Sequence, residues 1–203
     1  QAGFPVYSTP EMAADVLGEM YRYGMRRRGS LIKALDRSLA GRSFNLDNRQ
    51  VRFRLLTEDD IDLWTEFVNG CSADSLWMRF LSPFSATPER ARRYCAVNPE
   101  QECAILAEVI EDGRPKALGI ARLSKISLQD EAEFAVIVAD PWQRKTLGSL
   151  LSQVSVELAK QWGVKSVIAE TIYENHAMIS ILKRCRFKVQ ERNGNMFTLS
   201  LRL

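Results

Sequence analysis

Histidine occurs once in this chain, at His176, and the four cysteines, Cys71, Cys95, Cys103 and Cys185, are scattered with no C-x-x-C pair. Soft ligands are therefore too few and too dispersed for a structural zinc site, and no metal is expected. A nucleophilic cysteine would have only His176 as its base. Scattered thiols fit a reducing compartment better than a disulfide framework. Long apolar runs and a signal-peptide pattern are also missing, which argues against membrane insertion and secretion and leaves a cytoplasmic protein as the expectation. There is no internal repeat and no low-complexity tract. An excess of one charge is missing from most of the chain: residues 1–50 carry eight Lys/Arg against five Asp/Glu, and residues 51–203 carry twenty of each. That balance gives no electrostatic footprint for nucleic acid. The initiator Met is absent too, and Gln1-Ala-Gly-Phe-Pro-Val-Tyr-Ser8 reads as the start of a piece, so a longer parent chain is expected.

What is present suffices for one substantial core: 203 residues with 46% apolar content, enough for a domain of about 150 residues and an appendage. The rest of the chain is organised around Glu131 to Trp162. Phe134 to Ala139 is a short apolar run that Asp140-Pro141 stops, and from Leu147 onward apolar residues recur at helical spacing (Leu147, Leu150, Leu151, Val154, Leu158). A strand thus runs through a short turn into a helix N-terminus. The first N–H groups of a helix have no internal partners and carry the positive end of its dipole, so such a turn suits a phosphate or pyrophosphate.

The turn reads Gln143-Arg144-Lys145-Thr146-Leu147-Gly148-Ser149, and with Gln143 and Gly148 it resembles motif A of the GNAT superfamily of N-acetyltransferases, [RQ]-x-x-G-x-[GA]. Thr146 stands at the family's first glycine and Arg144 where many members have another. Glu174-Asn175-His176-Ala177-Met178 through Arg186-Phe187 is similar to the family's later segment, in which an Asn opens a helix that leaves through Gly-Phe into a strand. Arg186 stands at that Gly. Leu182 lies near the position where many members carry a Tyr that protonates the departing thiolate. Between the two segments Gly163 ends the first helix and Val164 to Glu170 reads as a buried strand, giving β-α-β-α-β. The resemblance implies an α/β fold with a mixed, mostly antiparallel sheet of six to seven strands flanked by helices. It also implies acetyl-CoA as cosubstrate.

Upstream, Gly3 to Met20 (GFPVYSTPEMAADVLGEM) resembles the end of the ATP-grasp region of NDP-forming acyl-CoA synthetases. Ser8 and Glu11 form a capping-box pattern before a helix that carries Met12, Val16, Met20 and Tyr23 on one stripe to about Arg28. Residues 29–50 read as a linker with at most a short helix. The expected organisation is residues 1–28 as an N-terminal helical appendage, the tail of a synthetase-like region, then the linker, then a GNAT domain over 51–203. Within that domain Val51 to Leu56, Cys103 to Ile110 and Ala117 to Leu123 read as strands, the last two joined by a hairpin at Glu111-Asp112-Gly113-Arg114. Ser75 to Pro83 resembles the S-L-x-x-R-F-x-x-P segment of Pat-type bacterial protein lysine acetyltransferases, a family that joins a synthetase-like region to a GNAT domain. Leu76, Trp77 and Phe80 are expected in the core. Arg79 is harder to place there and is read as binding a carboxylate inside the domain or shaping the acceptor site.

Amine attack on a thioester needs a deprotonated amine, an oxyanion donor and a base on the acceptor side. The Pat-type resemblance puts the base at Glu133, ten residues before Gln143; the plainer reading has Glu131 and Glu133 decorating an exposed strand. Backbone groups of Val136 and Val138 would pair with the pantetheine arm. Asn175 would reach its side, unless it is simply an N-cap. The cofactor-binding residues are thus expected to be Val136, Val138, Gln143 to Ser149 and Asn175. Three functions follow as alternatives. The first is a lysine acetyltransferase acting on proteins, with acyl-CoA synthetases as the implied clients. The second is a regulatory module that binds acyl-CoA or nothing, and the third a small-molecule amine acetyltransferase.

Overall fold

In the computed structural model, residues 10–126 and 130–203 are described. The expected cap at Ser8 and the first residues of the synthetase-like stretch lie outside them. The elements run α1 (Pro10–Leu39), β1 (Ser43–Leu46), β2 (Arg49–Leu55), α2 (Ile61–Asn69), α3 (Ala73–Phe80), α4 (Pro88–Cys95), β3 (Glu102–Glu111), β4 (Arg114–Ile126), β5 (Glu131–Val138), α5 (Leu147–Trp162), β6 (Ser166–Ile172), α6 (His176–Arg184), β7 (Lys188–Asn193) and β8 (Met196–Arg202). The eight strands form one sheet in the order β1-β2-β3-β4-β5-β6-β8-β7. Every pair is antiparallel except β5 with β6. The fold is the expected α/β arrangement, with eight strands in place of six to seven.

The additional strand is β1, within the stretch read as a linker. Asp47 and Asn48 turn it onto β2 with φ of 54° and 60°. Both φ values are positive, as in the tight turns that join paired strands, and Asn and Asp tolerate them without glycine. The helix is corrected as well: α1 does not stop near Arg28 but continues to Leu39. Its C-terminal half packs over β2 and α5, where Leu35 and Leu39 are buried with Val51 and Phe53. The spacing of Leu31, Leu35 and Leu39 is one helical stripe, and residues 29–50 supply part of the sheet's cover together with β1 and the start of β2. The boundary expected at Gln50 falls inside β2. Upstream, Leu17, Met20, Tyr21 and Tyr23 stand exposed on the same helix.

The sheet is covered on both faces. On one side α1, α5 and α6 bury Leu118, Leu123, Phe134, Leu147, Leu151 and Leu158. On the other, α2, α3 and α4 pack Trp64, Phe67, Val68 and Cys95 onto Leu106, Ile120 and Ile137. Strand alternation divides β5 between the two: Ala132 and Phe134 belong to the first core, Ile137 to the second. Gly119 makes the first contact possible, because a Cβ there would lie 2.9 Å from Leu151 Cδ1 and 3.1 Å from the Ile137 carbonyl. Trp77 departs from the expected core and is 47% exposed. A short helix buries one stripe, and on α3 that stripe carries Leu76 against the second core.

Candidate active site

β5 and β6 run side by side for only three residue pairs, Glu131 with Ser166, Ala132 with Val167 and Glu133 with Ile168. Beyond them β5 continues to Val138, still paired with β4, and β6 continues to Ile172, still paired with β8. The strands therefore part in the middle of the sheet, leaving the β6-facing edge of β5 from Phe134 to Val138 without a strand partner. An extended chain could fill that edge as a further strand. Val136 and Val138 lie on it. The Val138 carbonyl is already taken, accepting from Gln143 Nε2 at 3.1 Å. Thr171 Oγ1, on β6 beyond the parting, is the buried side-chain oxygen left without a hydrogen-bond partner among the described residues.

The turn that follows β5 keeps the conformation glycine would give it. Arg144 has φ 58° and Thr146 φ 71°, and Arg186, at the third missing glycine, has φ 69°. All three lie in the left-handed region, where a β-carbon is strained. Thr146 is the N-cap of α5 and makes no side-chain cap hydrogen bond, so the first-turn N–H groups, Leu147, Gly148 and Ser149 among them, remain open to an outside acceptor. Leu147 itself is fully buried, which leaves only its backbone to contribute. At Gly148 a Cβ would come within 3.3 Å of Ile181 Cδ1, so this glycine lets α5 start close against α6.

The side chains of the turn are partly committed. Gln143 Nε2 donates to Ser75 Oγ at 2.8 Å. Asp140 accepts from Ser72 Oγ (2.6 Å), Ser72 N (2.9 Å) and Ser75 Oγ (2.7 Å). Burial works against the Asp140 carboxylate, but these hydrogen bonds outweigh it and hold the carboxyl below its ordinary value. In the sequence Asp140 reads only as a strand stop. Here it ties the N-terminus of α3 to the turn. Lys145 reaches Asp47 on the β1–β2 hairpin at 2.6 Å and lies over the Trp142 ring. Arg144 lies in the same turn and Ser149 in the first turn of α5. Asn175 accepts from Met178 N at 3.1 Å, so it is the N-cap of α6 in this structure.

Glu133 is exposed on β5 at the last residue before the parting, paired with Ser124 across to β4. By alternation it shares the face of Ile137, toward α2, α3 and α4. Arg79 on α3 interacts electrostatically with it. Cysteine chemistry is disfavoured, because burial pushes Cys71 and Cys103 up to about 12 and Cys95 up to about 11. Leu182 is fully buried, so the helix offers no hydroxyl at that position. Among the described residues no helix is long and apolar enough to cross a membrane, and no cluster of His, Cys, Asp or Glu could hold a metal.

Comparison with known proteins agrees with this geometry. The acetyltransferase (GNAT) domain family matches residues 50–188. Acetyltransferase PA5475 of Pseudomonas aeruginosa is 29% identical over 133 residues, covering 65% of this chain and 72% of that protein. Among solved structures, the GNAT domain of S. lividans PAT superposes with a TM-score of 0.72 at 21% identity, covering 80% of this chain and 96% of that one. The PaiA N-acetyltransferase of Thermoplasma acidophilum, crystallised in complex with coenzyme A, gives a TM-score of 0.55 at 16% identity, covering 75% and 99%.

Proposed function

The chain belongs to the GNAT acetyltransferase family and is an N-acetyltransferase, and from that premise we propose that it transfers the acetyl group of acetyl-CoA to the Nε amine of a lysine on a protein. The observation that carries the reading is the exposure of Glu133 where β5 and β6 part. A carboxylate in that position is open to an amine presented on a bulky surface. The likeness of Gly3 to Met20 to the end of the ATP-grasp region of acyl-CoA synthetases supports acyl-CoA synthetases as the clients.

The chain's own groups fit a coenzyme A thioester in three places. The open edge of β5 offers Val136 and Val138 backbone groups to an extended arm, and one N–H there would polarise a carbonyl. Thr171 Oγ1 is a buried hydroxyl in need of a partner. The first turn of α5, with Arg144 and Lys145, suits a diphosphate. The thioester supplies the activated acetyl group. Glu133 takes the proton of the incoming ammonium and leaves the amine nucleophilic.

Glu133→Gln tests the assignment. It should leave coenzyme binding intact and lower acetyl transfer by roughly two to four orders of magnitude, the usual worth of a general base. Turnover unchanged across the pH range removes Glu133 from that role. Acetylation of small amines with none on any protein lysine removes the protein acceptor.

A further inference from the structure

The last turn of α3 carries a cation, Arg79, that faces Glu133 electrostatically but makes no hydrogen bond or ion pair among the described residues. Arg79 is half-buried beside a pocket whose walls include Trp64, Phe80, Tyr94 and Ile137, with its guanidinium carbon 4.8 Å from the Phe80 ring centroid. Arg122 lines the same pocket but is satisfied: it donates to the Glu102 carboxylate and to the Tyr94 carbonyl. Arg79 has neither a hydrogen bond nor an ion pair among the described residues. Burial draws its pKa below the usual value and Arg122 adds to that, while Tyr94 and Glu133 oppose. A half-buried guanidinium without a hydrogen-bond partner keeps its five donors free for a group from outside the chain.

Its position narrows what that is. Seven residues separate Arg79 from the N-cap Ser72, which places the guanidinium end of α3 about 10 Å along the helix from the phosphate turn. It lies instead on the Glu133 face of the sheet, over Ile120 and Ile137. The planar fork of an arginine matches a carboxylate through two parallel hydrogen bonds, and the part of this guanidinium left open to solvent is free to make them. We propose that Arg79 is a specificity-determining residue that pairs with a carboxylate carried by the acceptor beside its reactive amine. The inference rests on the reading of Glu133 as the acceptor-side base.

Paired acceptors differing by one charge test it. Nα-acetyl-lysine and its amide, and peptides with Glu or Gln beside the lysine, are assayed with acetyl-CoA on wild type, Arg79→Met and Arg79→Lys. Wild type should favour the acid of each pair by on the order of 10 to 100-fold in kcat/KM. Met should abolish the preference without lowering the melting temperature, and Lys should restore part of it. If the preference is confined to the small pair, the carboxylate is that of a free amino acid; if to the peptides, it is a neighbouring acidic side chain. Equal kcat/KM for acid and amide in wild type, or a preference that survives in Arg79→Met, overturns the proposal. Where turnover is too slow to score, thermal protection by the acid over the amide in the presence of coenzyme A decides in the same way. The absolute rate on protein lysine tests the proposed function, and the acid-to-amide ratio tests Arg79, so the two fail separately.

Discussion

Lys145 Nζ lies 2.6 Å from Asp47 Oδ2, so the tip of the β1–β2 hairpin is tied across to the turn that opens α5. The ammonium best placed to meet a diphosphate is held by a carboxylate contributed from nearly 100 residues away, and ligand and hairpin compete for it. Asp47→Ala should therefore tighten acetyl-CoA binding by about two- to fivefold at low ionic strength. Both partners are largely exposed, so the gain should vanish near 0.5 M salt, where the screening length is only a few ångströms. Calorimetric titration at two salt concentrations checks this.

The left-handed turn makes a second forecast. Thr146→Gly relieves a β-branched residue at φ 71° and should raise stability by about 1 kcal/mol and tighten coenzyme binding. Arg186→Gly should raise stability comparably, but without affecting coenzyme affinity. Melting curves with and without acetyl-CoA separate the local strain from its effect on the site. A loss of stability in both variants would show that these backbones are held by contacts of the replaced side chains.

Asp140 carries a pH signature. Its folded value is depressed, so its contribution is present above the unfolded value of about 3.9 and is lost as pH falls through the lower folded value. Asp140→Asn should lower stability at neutral pH by about 1 kcal/mol, the scale of one charge-assisted hydrogen bond at a half-exposed site. Wild type and variant should then converge as pH falls below that folded value. Urea midpoints measured from pH 7 to pH 2.5 follow that convergence.

Truncation distinguishes the two halves of α1. Removing residues 1–28 takes away exposed Leu17, Met20 and Tyr23 and should leave the core's cooperative unfolding unchanged. Removing residues 1–40 also takes Leu35 and Leu39 from the core and should cost several kcal/mol, since each Leu truncated in a packed site costs about 2 to 5. Calorimetry on both truncations checks the difference.

These contrasts also mark where the sequence was readable. The β5-turn-α5 unit was legible because strand, stop and helical period follow one another within about thirty residues. Its neighbours were read correctly for the same reason. Leu35 and Leu39 were missed because a single apolar stripe among Lys33, Asp36, Arg37 and Ser38 has the composition of a linker. The β1 hairpin was missed because its turn uses Asp47-Asn48 without a glycine. Asp140 was read as a local stop because its partner Ser72 is 68 residues away, and no local pattern encodes such a contact. Arg79 stood out as a charge with no evident place in a core. What the sequence did not carry was its place over Phe80 on the Glu133 face of the sheet.

The short seam between β5 and β6 also bears on how the native protein opens. A sheet whose two parts share only three residue pairs is thinly joined along that line, and beyond it the β6–β8 part meets the rest through α6 against α5 and β6 against α3. Amide exchange should find that half opening as a sub-global unit, at lower free energy than β3 and β4. A ligand lying along the parted edges would bind both halves at once and slow exchange across residues 166–202, far beyond the atoms it touches. Coenzyme level would then set the lifetime of the C-terminal half against proteolysis.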